Sequence, residues 1–303
     1  MKINLSRLGL TALGLATSLA LAISTPAQGS SDKSQPLSIA PTTADDSSKA
    51  DDEAAREAEL VKQTLNPVAS LISVPIQNNW DFGIGPAHAF KYTANVQPVI
   101  PISLSDDWNL ISRTIVPVIY AQSPVKGGED HAGLGDITQS FFFSPKQPVG
   151  GWIMGAGPVF LLPGATQEAL GSGKWGAGPT AVLLQQKNGF TYGILANQIW
   201  SFAGQEDRAT VNAAFVQPFL SYSTKTYTSF GVNTESTRNW ETDQWSVPMN
   251  FTITQLLKIK GQPISIQLGY RYYVDGPDGG PKWGLRFAVT LLFPKNVEAE
   301  KSL

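Results

Sequence analysis

Residues 282–295 read KWGLRFAVTLLFPK, and their alternation decides the fold. Trp283, Leu285, Phe287, Val289, Leu291 and Phe293 take every second position, all large and apolar. Between them lie Gly284, Arg286, Ala288, Thr290 and Leu292. A period of two is the strand period, because successive side chains leave opposite faces of a pleat. On a helix the same spacing would spread the apolar residues around the whole circumference. The stretch is therefore a strand with one apolar and one mixed face. The apolar face meets either a soluble core or lipid, and the rest of the chain must choose between them.

Composition narrows the choice. The 303 residues are 42% hydrophobic and 15% charged, against about a quarter charged in an ordinary globular domain. Mean hydropathy is −0.08, too low for a helical membrane bundle but suited to a barrel whose inward residues are polar. The net charge of −2, with no basic stripe, argues against nucleic acid as a partner. With no cysteine the chain has neither disulfides nor thiolate chemistry.

The N-terminus reads as a secretion signal. Lys2 and Arg7 precede a Leu/Ala/Gly run, and Thr25-Pro26-Ala27 supplies small residues at a cleavage position. Cleavage is expected near Ala27, giving a leader over 1–27 and a mature charge of −4 from 20 basic and 24 acidic residues. The region from 28 to 65 reads as a periplasmic linker rich in Ser, Asp and Thr, followed by a short helix over DDEAAREAELVKQTLN. That helix could rest under a barrel or plug it, and the plainer expectation is an exposed leader.

From residue 66 to 294 the chain reads as an all-β unit, followed by a tail over 295–303. Strands are expected at about 67–76, 90–103, 108–121, 134–144, 151–163, 174–187, 190–203, 211–223, 226–235, 245–256, 263–274 and 282–293. Pro98, Pro117, Pro158, Pro179, Pro218 and Pro248 fall inside them and point to bulges. Long and short connections alternate in phase, from NNWDFGIGPAHA (long) and SDD (short) onward. A transmembrane antiparallel up-and-down β-barrel of about 12 strands has this rhythm, with short periplasmic turns and longer outer loops. A soluble sandwich has no reason to keep it. Trp108 and Trp152 begin strands at the periplasmic side, where Phe293 and Tyr227 join them; Trp175, Trp200, Trp245 and Trp283 cluster at the outer side. Two aromatic bands at strand ends fit the two interfaces of a bilayer. The expected surroundings are then outer-membrane lipid and lipopolysaccharide, with the insertion machinery as a partner during assembly.

Several blocks carry a family resemblance: NPVASLISVPIQNNWDFGIGP, NVQPVIPISLSDDWNLISRTIVPVIY, GLGDITQSFFFSP, LGSGKWGAGPTAVLL and NQIWSFAG. They resemble a bacterial outer-membrane family named for a meta-pathway of phenol degradation and usually called "transporter". The match runs over nearly all of the mature chain. It implies an outer-membrane barrel and little about substrate, because the family name reflects a gene neighbourhood. It brings no catalytic motif.

Chemistry-bearing residues are few. His88 and His131 are the two histidines, both in expected outer loops, with Ser123 in the same loop as His131. That pairing raises an outer-membrane lipid hydrolase, though there is no G-x-S-x-G. GSGKW lacks the earlier glycine of a phosphate loop (Glu168 stands there), and Trp175 follows Lys174. Glu129, Asp130, His131 and Asp136 could hold a divalent cation, but their spacing matches no EF-hand and reads better as a solvated acidic loop. No cofactor and no metal is expected.

The lumen is where function should lie. Lys91, Arg113, Lys174, Arg271 and Arg286 share the inward phase, and Arg271 is expected directly opposite Arg286 across the last hairpin. Like charges so placed repel unless something separates them. Either they form a cationic outer mouth that concentrates anions, or Asp275, Asp278, Asp81 or Glu129 folds in to pair them. Gly155, Gly157, Gly176, Gly178 and Gly193 also point inward. They leave space for a passing solute, ease curvature, or seat the N-terminal segment. The expected function is a passive channel or transporter for a small-molecule solute; the family resemblance implies an aromatic or other apolar one, and the inward cations an organic anion. The alternative is a structural barrel with a filled lumen.

Overall fold

The computed structural model describes residues 44–294. The leader expected over 1–27, most of the linker and the tail from 295 lie outside the described residues. Fifteen hydrogen-bonded segments form one sheet, and they make twelve wall strands because three strands are each interrupted once. In chain order these are β1 (Ile72–Ile84), β2 (Ala89–Val96 with Val99–Ser103), β3 (Trp108–Ala121) and β4 (His131–Leu134 with Ile137–Pro145). β5 (Ile153–Leu162), β6 (Lys174–Lys187), β7 (Phe190–Gly204) and β8 (Asn212–Ser223) follow. The last are β9 (Thr228–Thr234 with Ser236–Asn239), β10 (Gln244–Ile259), β11 (Gln262–Asp275) and β12 (Trp283–Phe293). Each pairs antiparallel with its neighbours, and β1 closes on β12 from Ile72↔Phe293 to Phe82↔Trp283. Closure leaves no unpaired edge, which is what a sheet in hydrocarbon requires.

All twelve strands stand near their expected places, but the first is displaced. It was expected at 67–76 and runs over Ile72–Ile84, so NNWDFG is wall and the following loop shrinks to residues 85–88. The polar residues Asn79 and Asp81, alternating with Trp80 and Phe82, are buried inward; inside a barrel, polarity is a strand property and not a loop signal. For the same reason β9 continues past 235 to Asn239. Turns at one end are tight: residues 188–189 and 260–261 carry left-handed pairs, Asn188 (φ 52) with Gly189 (φ 81) and Lys260 (φ 50) with Gly261 (φ 85). Two such residues suit the twist of a two-residue hairpin. We call this the turn end, and the other, with loops 122–130 and 163–173, the loop end.

Four of the six prolines mark irregularities, while Pro117 and Pro218 keep register with Asn95 and Ile194. Pro98 lies at the interruption of β2, and Pro248 at a register shift between Val247 and Pro248. Pro158 and Pro179 face each other inside the β5–β6 ladder. Lacking N–H groups, they leave the ladders on their far sides open, and the β4–β5 and β6–β7 registers skip these positions.

The outer face is the apolar one. Phe251, Ile253, Leu268, Tyr270, Tyr272, Leu285 and Phe287 are exposed, while Asn250, Thr252, Thr254, Arg271 and Arg286 between them are buried. Trp108, Trp175, Trp200, Trp245, Trp283 and Phe293 all lie on the exposed face. Trp152 is half-buried just before β5, edge-on to Tyr192 at 6.1 Å. Tyr227 leaves the belt assigned to it, because its backbone is left-handed (φ 61) and its ring packs beneath the barrel.

The expected helix is exposed over most of its length, and it is the chain after it that is docked. Helix α1 (Ala44–Thr64) runs to the turn end, and the chain after it enters the barrel. Val68 is buried among Ile111, Phe142, Val182, Leu184 and Leu195. Val61, Ala69 and Leu71 pack on Leu256 and Leu292. Burying such side chains contributes about 1.5–3 kcal/mol each. Polar ties add orientation: Asn109 Nδ2 donates to Ser70 Oγ (2.8 Å), Gln186 Nε2 to the Lys62 carbonyl (2.9 Å) and Lys258 Nζ to Glu53 Oε1 (2.7 Å). The Lys258 ammonium holds the Glu53 carboxyl below its ordinary value. The space over Gly155 is filled: a Cβ there would stand 3.2 Å from Val68 Cγ1. This inward glycine seats the segment and does not open the lumen.

Candidate functional site: a charged bridge on the inner wall

Two neighbouring rows of the wall build the site. In one, Arg271 faces Gly284, which faces Asp81. In the other, Gly269 faces Arg286, which faces Asn79. The expectation that Arg271 stands directly opposite Arg286 is therefore wrong by two residues. The hairpin closes one position early, with Tyr272 opposite Trp283 and Tyr273 N–H donating to the Lys282 carbonyl (3.1 Å). Each arginine faces a glycine, which removes the like-charge clash. Glycine is needed at 284, and at 269 a side chain would be tight. A Cβ on Gly284 would meet Asp81 Oδ1 and the Trp80 carbonyl at 2.6 Å, and one on Gly269 would meet Arg286 Cβ at 3.1 Å.

Over Gly284, Arg271 Nε stands 3.0 Å from Asp81 Oδ1. The contact is ionic: neither atom completes a hydrogen bond. Asn79 Oδ1 accepts from both arginines, from Arg271 Nη1 at 2.9 Å and from Arg286 Nε at 2.8 Å. Tyr273 Oη accepts from Arg271 Nη2 at 3.1 Å. Three adjacent strands, β11, β12 and β1, thus hold both guanidinium groups in place.

The last member comes from elsewhere. Glu235 sits at the interruption of β9 and reaches past β10 to the arginines. Its Oε1 accepts from Arg286 Nη1 at 2.9 Å and its Oε2 from Arg286 Nη2 at 2.8 Å, a bidentate pair. Arg271 Nη1 lies 3.3 Å from the same Oε2. Arg271 and Arg286 are 6% and 4% exposed. Charges so buried cost several kcal/mol each to desolvate, and only good geometry offsets that cost. A bidentate fork is the strongest form available.

The other expected cations are distributed. Lys91 lies in register opposite Asp81, beside the bridge. Arg113 sits on β3, its Nη2 donating to Gln97 Oε1 at 2.8 Å. Lys174 points inward near the loop end and donates to the Gln205 carbonyl, apart from the bridge. Of the four acids considered as partners, Asp81 takes the role, as a strand residue. Asp275, the last residue of β11, and Glu129, in a loop, are exposed. Glu235 was missed. The available signal was that it and Asp136 were the two carboxylates inside the expected strands. Both, with Gln97, occupy or adjoin the three interruptions, where a bulge re-aims a side chain.

The hydrolase and metal candidates do not converge. His131 Nδ1 lies 3.0 Å from Gln167 Oε1, while the Ser123 hydroxyl accepts from the Val125 N–H. Asp130 accepts from the Ser123 N–H, which, with the Tyr120 hydroxyl, holds its carboxyl below the ordinary range. Asp136 is taken up by the Ser172 N–H and hydroxyl, both at 2.6 Å. Outside the barrel, on the wall from β8 to β1, lies an apolar groove of about 1030 Å³ lined by Phe230, Phe251, Leu268, Tyr270, Leu285 and Phe287 among others.

No family model matches the chain, and no curated protein matches it. Solved structures do. An outer membrane channel from Pseudomonas putida F1 aligns at TM-score 0.59 with 14% identity, over 75% of this chain and 97% of that one. The NanC porin aligns at TM-score 0.48 with 12% identity, over 72% and 98%. Outer membrane phospholipase A from Escherichia coli aligns at 0.44 with 10% identity, over 78% and 97%. The first likeness shows that this is the fold of an outer-membrane β-barrel; the other two are too loose to bear on the site.

Proposed function

We propose that the chain is an outer-membrane channel for small organic molecules, closed in the form described, with its turn end toward the periplasm. One observation carries this reading: beside the wall's own side chains, the interior holds a side-chain bridge and a docked segment. Eight strands enclose an interior that side chains just fill, and twelve enclose more. The excess is taken up by Glu235 with its arginines and by residues 65–71. Both can move without unzipping a ladder. The resemblance to an outer-membrane transporter family and the fold shared with a protein described as a channel support the reading.

A second reading is favoured by the burial of Ile111, Phe142, Leu184 and Leu292, all at 0–1% exposure. In it the lumen is permanently filled and the barrel is structural. Swelling of proteoliposomes in isotonic small solutes separates the two. The channel reading expects swelling above protein-free vesicles once both blocks are removed, in the variant carrying Val68→Asp and Glu235→Gln together. No swelling with that variant, shown folded by heat-modifiable gel mobility, establishes the filled barrel instead.

A further inference from the structure

Within the bridge, Glu235 differs from its partners. Arg271 and Arg286 are held by Asn79, Asp81 and Tyr273 from contiguous wall. That scaffold owes nothing to Glu235. Glu235 arrives from β9, at a break in the ladder, where its N–H reaches the Pro248 carbonyl only at 3.4 Å. Its side chain is 21% exposed, against 12% for Asp81 and 8% and 3% for the two arginines. A guanidinium fork pre-positioned by its own strand neighbours and filled by a carboxylate on a loosely held backbone has the form of a ligand site with a tethered occupant.

We infer that Arg271 and Arg286 form a carboxylate-binding site for a solute, and that Glu235 is the resident carboxylate that such a solute displaces. The inference deepens the channel reading and rests on it for solute access. The site holds the monocarboxylate class: two oxygens in the plane of the Arg286 fork, with Arg271 and Asn79 alongside. Lys91 and Arg113 add positive field, so that releasing Glu235 leaves the site cationic. The affinity for a solute is set by competition, since a tethered group acts at high effective concentration.

Benzoate is the probe, with benzamide as its neutral counterpart, measured by calorimetry on the refolded full chain in detergent micelles. Glu235→Gln removes the resident charge while keeping the size. It should bind benzoate at least about tenfold more tightly than the native protein, as removal of a charged competitor from a fork predicts. Benzamide should show no such gain. Adding Arg286→Gln should abolish the gain. Because Glu235→Gln could impair folding, Glu235→Asp serves as a charge-conserving variant. One methylene shorter, it cannot keep both contacts, and it should show a smaller gain in the same direction. Equal benzoate affinity in native, Gln and Asp proteins, or an equal gain for benzamide, overturns the inference. Calorimetry does not depend on conduction. A protein that binds benzoate as described but passes no solute would refute the channel reading and leave the carboxylate site standing; swelling without benzoate binding would do the reverse.

Discussion

Arg271 and Asp81 meet across an intervening strand, Nε to Oδ1 at 3.0 Å, over the bare backbone of Gly284. The pair exists because residue 284 has no side chain. Gly284→Ala should therefore act far beyond its size. Its Cβ would stand 2.6 Å from Asp81 Oδ1 and from the Trp80 carbonyl, and the backbone oxygen cannot step aside. The expected cost is about 1–3 kcal/mol, that of leaving a buried polar partner unmet. Urea unfolding in lipid vesicles measures it. A loss under a few tenths of a kcal/mol would show that the row has slack.

The bridge should be strongly coupled. Arg286→Leu alone leaves Glu235 short of its fork and should cost about 3–5 kcal/mol, the range for breaking a buried pair. Glu235→Leu with Arg286→Leu should cost clearly less than the sum of the singles, because the second change removes the charge the first one stranded. Additive losses in the same unfolding assay would mean that the two groups do not act as a pair.

The docking of α1 should depend on pH and salt. Lys258 holds Glu53 below its ordinary carboxyl value of 4.5. A lowered folded value means that the contribution is full above the ordinary carboxylate range and is lost as pH falls through the lowered value. Both groups are exposed, so added salt should weaken the tie as well. Limited proteolysis of α1 should therefore quicken below about pH 4.5 and in high salt, and Glu53→Gln should be cleaved faster at neutral pH than the native chain. Cleavage that ignores both pH and Glu53→Gln would place the hold of α1 entirely on its apolar contacts.

Much of the wall could be read from the alternation alone, as in Trp283 to Phe293, where lipid on one side imposes strict phase. The site could be read only in part. Period two gave the inward phase of Arg271 and Arg286, but not which residue each faces, because that depends on where the hairpin closes. Glu235 was beyond such reasoning for another reason: a ladder interruption leaves no periodic trace, yet it turns a strand-end carboxylate onto the two arginines. Asn79 and Asp81 were lost to an assumption carried over from soluble proteins, that a polar run is a loop. Val68 and Leu71 gave no amphipathic signal because a segment inside a barrel has wall on every side.

The central claim is that two removable blocks close the lumen in series, the Glu235 bridge and the segment around Val68. Single-channel conductance in planar bilayers tests it directly, comparing the native chain with Glu235→Gln, Val68→Asp and the two together. In series, either block alone suffices to limit current, so the account predicts small gains from the single changes and a much larger, steady conductance from the double. A double variant that is folded and inserted yet no more conductive than the native chain would contradict it.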